Sequence, residues 1–143
     1  MILSQTAVYA LRATLCLGES TSVGPVRVDD IAERLDVPRN YLSKILHVLA
    51  KGGVLTSTRG PGGGFRLARH AEDLKLSEIV GHFDDLPGES GCLLGRDECS
   101  DDDPCAAHDH WKDVSGSVRR FFTETSLADL LRDRSLAEVH GTG

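Results

Sequence analysis

The sequence predicts a mainly α-helical fold. The expected architecture is a winged helix-turn-helix of the DNA-binding kind with a β-hairpin wing, followed by a cysteine-rich loop suited to binding a cluster and a long helix suited to dimerisation. Three observations carry that expectation. Two short apolar-periodic segments, 28–35 and 38–51, are joined by Asp36-Val37-Pro38. A glycine turn, Gly60–Gly64 (GPGGG), lies between two strand-like runs directly after the second segment. Three of the four cysteines then crowd into residues 92–105, just before a heptad-patterned helix.

The first helix is expected from Ser4 to about Gly18, with Leu3, Ala7, Leu11, Leu15 and Gly18 at four- and three-residue steps and Ala10 on the same face. Cys16 falls in this apolar run and reads as a small core residue. The stretch lacks a basic leader and is interrupted by Arg12, so it reads as a mature helix rather than a signal peptide. Ser20–Pro25 is a turn-rich connector.

Val28, Ile31, Ala32 and Leu35 define the next helix, with Asp29, Asp30 and Glu33 where the helix dipole favours acids. Pro38 suits the first position of the following helix, whose Leu42, Ile45, Leu46 and Leu49 face inward and which Gly52-Gly53 ends. Its outer face carries Arg39, Asn40, Ser43, Lys44 and His47, the pattern of a recognition helix. Val54–Arg59 and Phe65–Ala68 flank the glycine turn, and Arg59 and Arg66 sit beside it. Gly62 and Gly63 let the backbone approach a phosphate closely.

Charge supports the division. The whole chain is at −6, but residues 1–70 carry nine Lys/Arg against five Asp/Glu, net +4, whereas residues 71–143 carry seven against seventeen, net −10. Between Val37 and Ala71 there are six basic residues and no acid. An anion-binding half joined to a non-binding half has this asymmetry. No apolar run is long enough for a membrane span, and a cytoplasmic protein is expected.

A short helix is expected near Ser77, with Leu76, Ile79, Val80 and Phe83 inward. Cys92, Cys99 and Cys105 follow at C-x6-C-x5-C spacing, with His108 three residues on. Three thiolates and one imidazole complete four-fold coordination of zinc, iron or a small cluster. Without a secretory signal that use is favoured over two disulfides. The five acids at 97, 98 and 101–103 lead to the expectation of a disordered loop unless a cation or cluster binds. Ala107, Trp111, Val114, Val118, Phe121 and Thr125 then form a heptad seam, and Gly116 points to a close approach. Trp111, Val114, Val118 and Phe121 are the expected dimer contacts, and Phe122 is left to pack on its own domain. Ser126 caps a last helix from Leu127 to about Arg134. The expected parts are therefore 1–83, the winged helix-turn-helix; 84–105, the cysteine loop; 106–134, the dimerisation and C-terminal helices; and 135–143, a frayed tail.

With these parts in place the chain resembles the iron–sulfur-sensing winged-helix regulators of the IscR and NsrR type over about residues 1–134. Tyr9-Ala10-Leu11, Asp30-Ile31-Ala32, Tyr41-Leu42 and Arg59-Gly60-Pro61-Gly62-Gly63-Gly64-Phe65 carry the likeness, with the three cysteines, His108, Trp111 and Thr125-Ser126-Leu127-Ala128-Asp129-Leu130. The resemblance implies a homodimer that binds a double-stranded DNA operator, with Cys92, Cys99 and Cys105 as cluster ligands. IscR-type members use a histidine after the third cysteine and hold a 2Fe–2S cluster, which His108 matches. NsrR-type members place a 4Fe–4S cluster and recruit an acid from the partner's first helix, whereas residues 1–18 here contain none. The first cysteine interval is six residues, one more than is common in both branches, so cluster type stays open at this point. The alternatives are a zinc-stapled regulator that senses nothing and a metal- or thiol-dependent enzyme. An enzyme is not expected, because no general acid–base pair lies near the cysteines and no Ser or Cys nucleophile motif is present.

Overall fold

The structure is a computed structural model that describes residues 3–21, 23–86, 94 and 102–133. Its elements run α1 (Gln5–Glu19), α2 (Val28–Leu35), α3 (Arg39–Lys51), β1 (Leu55–Thr58), β2 (Gly64–Leu67), α4 (Leu76–Val80), α5 (His108–Glu124) and α6 (Leu127–Asp133). A 3-10 turn, Ala71–Asp73, precedes α4. Among the described residues no helix is long and apolar enough to cross a membrane.

Helix α1 is the spine against which α2, α3, α4, β2 and α6 pack. Ser4 caps it, its Oγ accepting from the Ala7 N–H at 3.2 Å. The face that goes deepest is rotated from the one the leucines suggest. Ala7, Ala10, Ala13, Thr14, Cys16 and Leu17 are buried, while Leu11 and Leu15 are only partly covered. Alanines let neighbouring helices approach closely, so the small side of α1 becomes the crowded one. Thr14 satisfies its hydroxyl on the Leu11 carbonyl at 2.9 Å. Cys16 is a core residue, and burial raises its thiol pKa against the partly opposing pull of Arg34.

The turn between α2 and α3 is a Schellman motif. Asp36 adopts the left-handed conformation at φ 55°, Val37 N–H donates to the Ala32 carbonyl at 3.0 Å, and Asp36 N–H donates to that of Glu33 at 3.3 Å. Val37 is buried under the turn. Pro38 stands one residue earlier than expected, as the N-cap rather than the first helical position, and its carbonyl accepts from Leu42 N–H. Leu42, Ile45, Leu46 and Leu49 of α3 are buried as their spacing predicts.

The hairpin pairs Leu55 with Leu67 through Thr58 with Gly64. Gly60 to Gly63 forms its tip. Gly63 N–H donates to the Gly60 carbonyl at 2.9 Å, Pro61 holds the first central position and Gly62 the second at φ 76°, as a type II turn requires. The connector after α1 also joins the wing, because Val26 and Phe65 exchange two 2.8 Å backbone hydrogen bonds. A side chain at Gly64 would run into the Val26 carbonyl.

The C-terminal helices return to the N-terminal half. Leu76 N–H donates to the Thr125 carbonyl and Leu127 N–H to that of Leu74, at 3.0 and 2.8 Å. Phe122 of α5 packs with Ala7, Leu76, Val80 and Leu86, and Leu131 of α6 lies against Gly18. Ser126 and Asp129 cap α6 reciprocally, the Ser126 N–H donating to Asp129 Oδ2 at 2.9 Å and the Asp129 N–H to Ser126 Oγ at 3.1 Å. Helix α6 is described to Asp133; residue 134 and the 135–143 tail lie outside the described residues.

Carboxylate caps tie this arrangement to pH. The Lys75 N–H donates to Glu78 at 2.9 Å and holds its carboxyl below the usual range, with Arg69 adding to the effect. A depressed folded-state pKa stabilises above the ordinary carboxylate range, and that gain disappears as pH falls through the folded value. Thermal melts should therefore separate the wild type from Glu78→Gln at neutral pH, and the gap should close as pH drops below about 4.

Candidate nucleic-acid interface and cysteine centre

Of the residues expected to face DNA, Arg39, His47, Arg59 and Gly63 line one cleft. Arg39 and Asn40 open α3, Lys44 and His47 follow on its outer side, and all four are exposed; Ser43 is half-buried. Tyr41 fixes the start of this helix on α1 through a hydrogen bond between its hydroxyl and Thr6 and an edge-on ring contact with Tyr9. His47 links the helix to the wing. Its Nδ1–H donates to the Ser43 carbonyl at 2.7 Å, and its ring meets Phe65 edge-on at 5.3 Å between centroids. In the neutral ring this leaves Nε2 as an acceptor.

A surface cleft of about 270 Å³ lies where α2, α3 and the wing meet. Arg27, Asp29, Arg39, His47, Arg59 and Gly63 line it. Arg59 and Arg66 are exposed, Gly62 is at the wing tip, and a side chain at Gly63 would meet the Thr58 carbonyl. Among the described residues, Lys44, Arg59 and Arg66 form no ion pair. Cations presented in this way, with a turn that is almost bare of side chains, suit phosphate oxygens. Arg27 and Asp29 were not legible as interface residues. They precede the recognition helix, and Asp29 already has a sufficient reading as a first-turn acid.

At the cysteine centre, Cys105 is half-buried and His108 is buried at 5% exposure. A backbone hydrogen bond from His108 N–H to the Cys105 carbonyl, 3.1 Å, closes the turn that opens α5. A thiol and an imidazole thus flank the turn that leads into a long helix. That donor chemistry fits an iron–sulfur or zinc centre. Asp102, Asp103 and His110 are exposed. Cys92 and Cys99 lie outside the described residues, as do the acids at 97, 98 and 101. Among the described residues no three potential ligands come together.

Along the seam, Val114 and Phe121 are 55% and 51% exposed. Trp111 and Val118 are partly covered, Val118 by the cluster around Leu76 and Phe122. Among the described residues, a side chain at Gly116 would meet the far end of Arg120.

Residues 3–133 match the Rrf2 family, described as iron-dependent transcriptional regulators. An HTH-type transcriptional regulator of Aquifex aeolicus is 36% identical over 133 residues, covering 92% of each chain. The HTH-type transcriptional regulator IscR of Photorhabdus laumondii is 32% identical over 141 residues, covering 99% of this chain and 85% of that one. Among solved structures, T. potens IscR superposes with a TM-score of 0.74 at 28% identity, covering 96% of this chain and 91% of that one. These relatives are named as transcriptional regulators, not enzymes.

Proposed function

The chain belongs to the Rrf2 family of transcriptional regulators, and from that premise we propose that it is a cytoplasmic homodimer whose operator affinity is set by an iron–sulfur cluster. The convergence of α3, the glycine wing and Arg59 on one cleft carries the DNA-binding part of the reading. The cluster part rests on the cysteine spacing, on the shared turn of Cys105 and His108, and on the IscR named among the relatives.

Cys92, Cys99, Cys105 and His108 are the proposed ligands, and a 2Fe–2S cluster is favoured because His108 occupies the fourth place. When bound, such a cluster supplies a redox-sensitive cross-link between the cysteine loop and α5. His108 fixes that link at the first turn of α5, and α5 reaches the DNA-binding half through Phe122 and the Thr125–Leu76 hydrogen bond. A change in how the loop is fastened therefore reaches the spacing of two recognition helices, which must meet half-sites about one DNA turn apart.

The test is binding to duplex DNA across a salt series, in parallel with iron, sulfide and zinc counts on anaerobically purified protein. Affinity should fall steeply with salt. Lys44→Ala and Arg59→Ala should each flatten the log–log slope by about 1 and weaken all sequences alike. A salt-insensitive complex would remove the DNA-binding reading. Stoichiometric zinc with no visible absorption would replace the sensor with a structural Cys3His site.

A further inference from the structure

We infer that Asp29 is a specificity-determining residue that aims Arg39 at a guanine in the major groove; this rests on the DNA-binding reading above. Arg39 is the first residue of α3, and N-terminal residues of a recognition helix are the ones that reach base edges. Its Nε–H donates to Asp29 Oδ1 at 2.5 Å, while Asp29 Oδ2 lies 3.5 Å from Arg27 Nη2. All three side chains are at least half exposed. Exposed pairs of this kind add little stability, so holding the fold together does not account for the contact.

Its position gives it a different consequence. An exposed arginine beside a duplex is drawn to the nearest phosphate, a contact that carries no sequence information. Asp29 occupies the Nε edge of Arg39 and holds the guanidinium from the α2 side. Nη1 and Nη2 keep no partner among the described residues. Two parallel N–H donors match the O6 and N7 acceptors of guanine. Arg27 offsets part of the Asp29 charge, which would otherwise repel the phosphates flanking the cleft. Asp30 separates this role from the helix dipole. It shares the first turn of α2 and is exposed, but contacts no arginine among the described residues.

The experiment begins by enriching bound sequences from a random duplex library with wild-type protein. Affinities are then measured at one salt concentration for the enriched duplex, each single-base-pair substitution of it, and an unrelated duplex. Asp29→Asn should lower the preference for guanine at one base pair per half-site by about tenfold. It should also raise affinity for the unrelated duplex, because a negative charge is gone. Asp30→Asn should leave the preference intact, and Asp29→Glu should recover part of it. Adding Asp29→Asn to Arg39→Ala should cost no further discrimination, as expected when two residues act through one contact. The inference is overturned if Asp29→Asn keeps the wild-type preference at every position, or shifts all duplexes equally. Failure of wild-type protein to enrich any sequence would overturn the DNA-binding reading itself.

Discussion

Replacing Cys105 with alanine is expected to leave the anaerobically purified protein colourless, preserve the dimer, and change operator affinity by about 5- to 150-fold. Each part has a separate cause. Cys105 is the proposed thiolate ligand nearest α5 in sequence, joined to His108 by a backbone hydrogen bond, so its removal leaves the centre one thiolate short beside the helix. The dimer should survive because Val114 and Phe121, the exposed part of the seam, lie further along α5 than its first turn. Affinity should change because a cluster influences DNA only through a difference in binding between its two states, and such couplings typically span that range. The checks are absorption spectra, sedimentation and operator titration at matched salt. Unchanged operator affinity in the colourless variant would make the centre structural.

The residues differ in how openly the sequence displays them. Leu42, Ile45, Leu46 and Leu49 mark the buried face of α3 because that helix is covered on one side only. The wing is equally open to reading. A proline followed by glycines allows few turns, and the structure uses the type II turn that this order suits. Helix α1 was harder, since neighbours pack on several of its sides and burial follows crowding around alanine rather than leucine spacing. Contacts between distant backbone segments leave no periodic trace. The Val26–Phe65 bridge is one, and the hydrogen bonds that join Leu76 to Thr125 and Leu127 to Leu74 are others.

The candidate site divides in the same way. Arg39, Lys44, His47 and Arg59 were legible because a recognition helix and a wing present their polar faces in a known order. The Asp29–Arg39 contact was not, since it depends on the angle at which α2 meets α3, set by the Asp36 turn. His108 shows the converse. Its place after Cys105 was plain from spacing, but its burial at the start of α5 is a property of the packed chain.

Val114→Asp is expected to convert the dimer to monomers while each chain keeps its fold. Val114 is 55% exposed on the single chain, so an aspartate there stays hydrated when the chain stands alone. In the proposed dimer the same carboxylate is buried against a second α5 without a partner. That costs several kcal/mol, and two-fold symmetry applies the cost to both chains. The dimer dissociation constant should rise by about a thousandfold or more, since each 1.4 kcal/mol is a factor of ten. Operator binding should weaken with it, because two half-sites engaged by separate monomers lose the gain from linkage. Val118→Asp provides the contrast. Val118 also touches the cluster around Leu76 and Phe122, so its substitution should lower the melting temperature of the chain as well as split the dimer. Sedimentation and thermal melts of the two variants separate the effects. A Val114→Asp protein that still sediments as a dimer would move the interface off this face of α5.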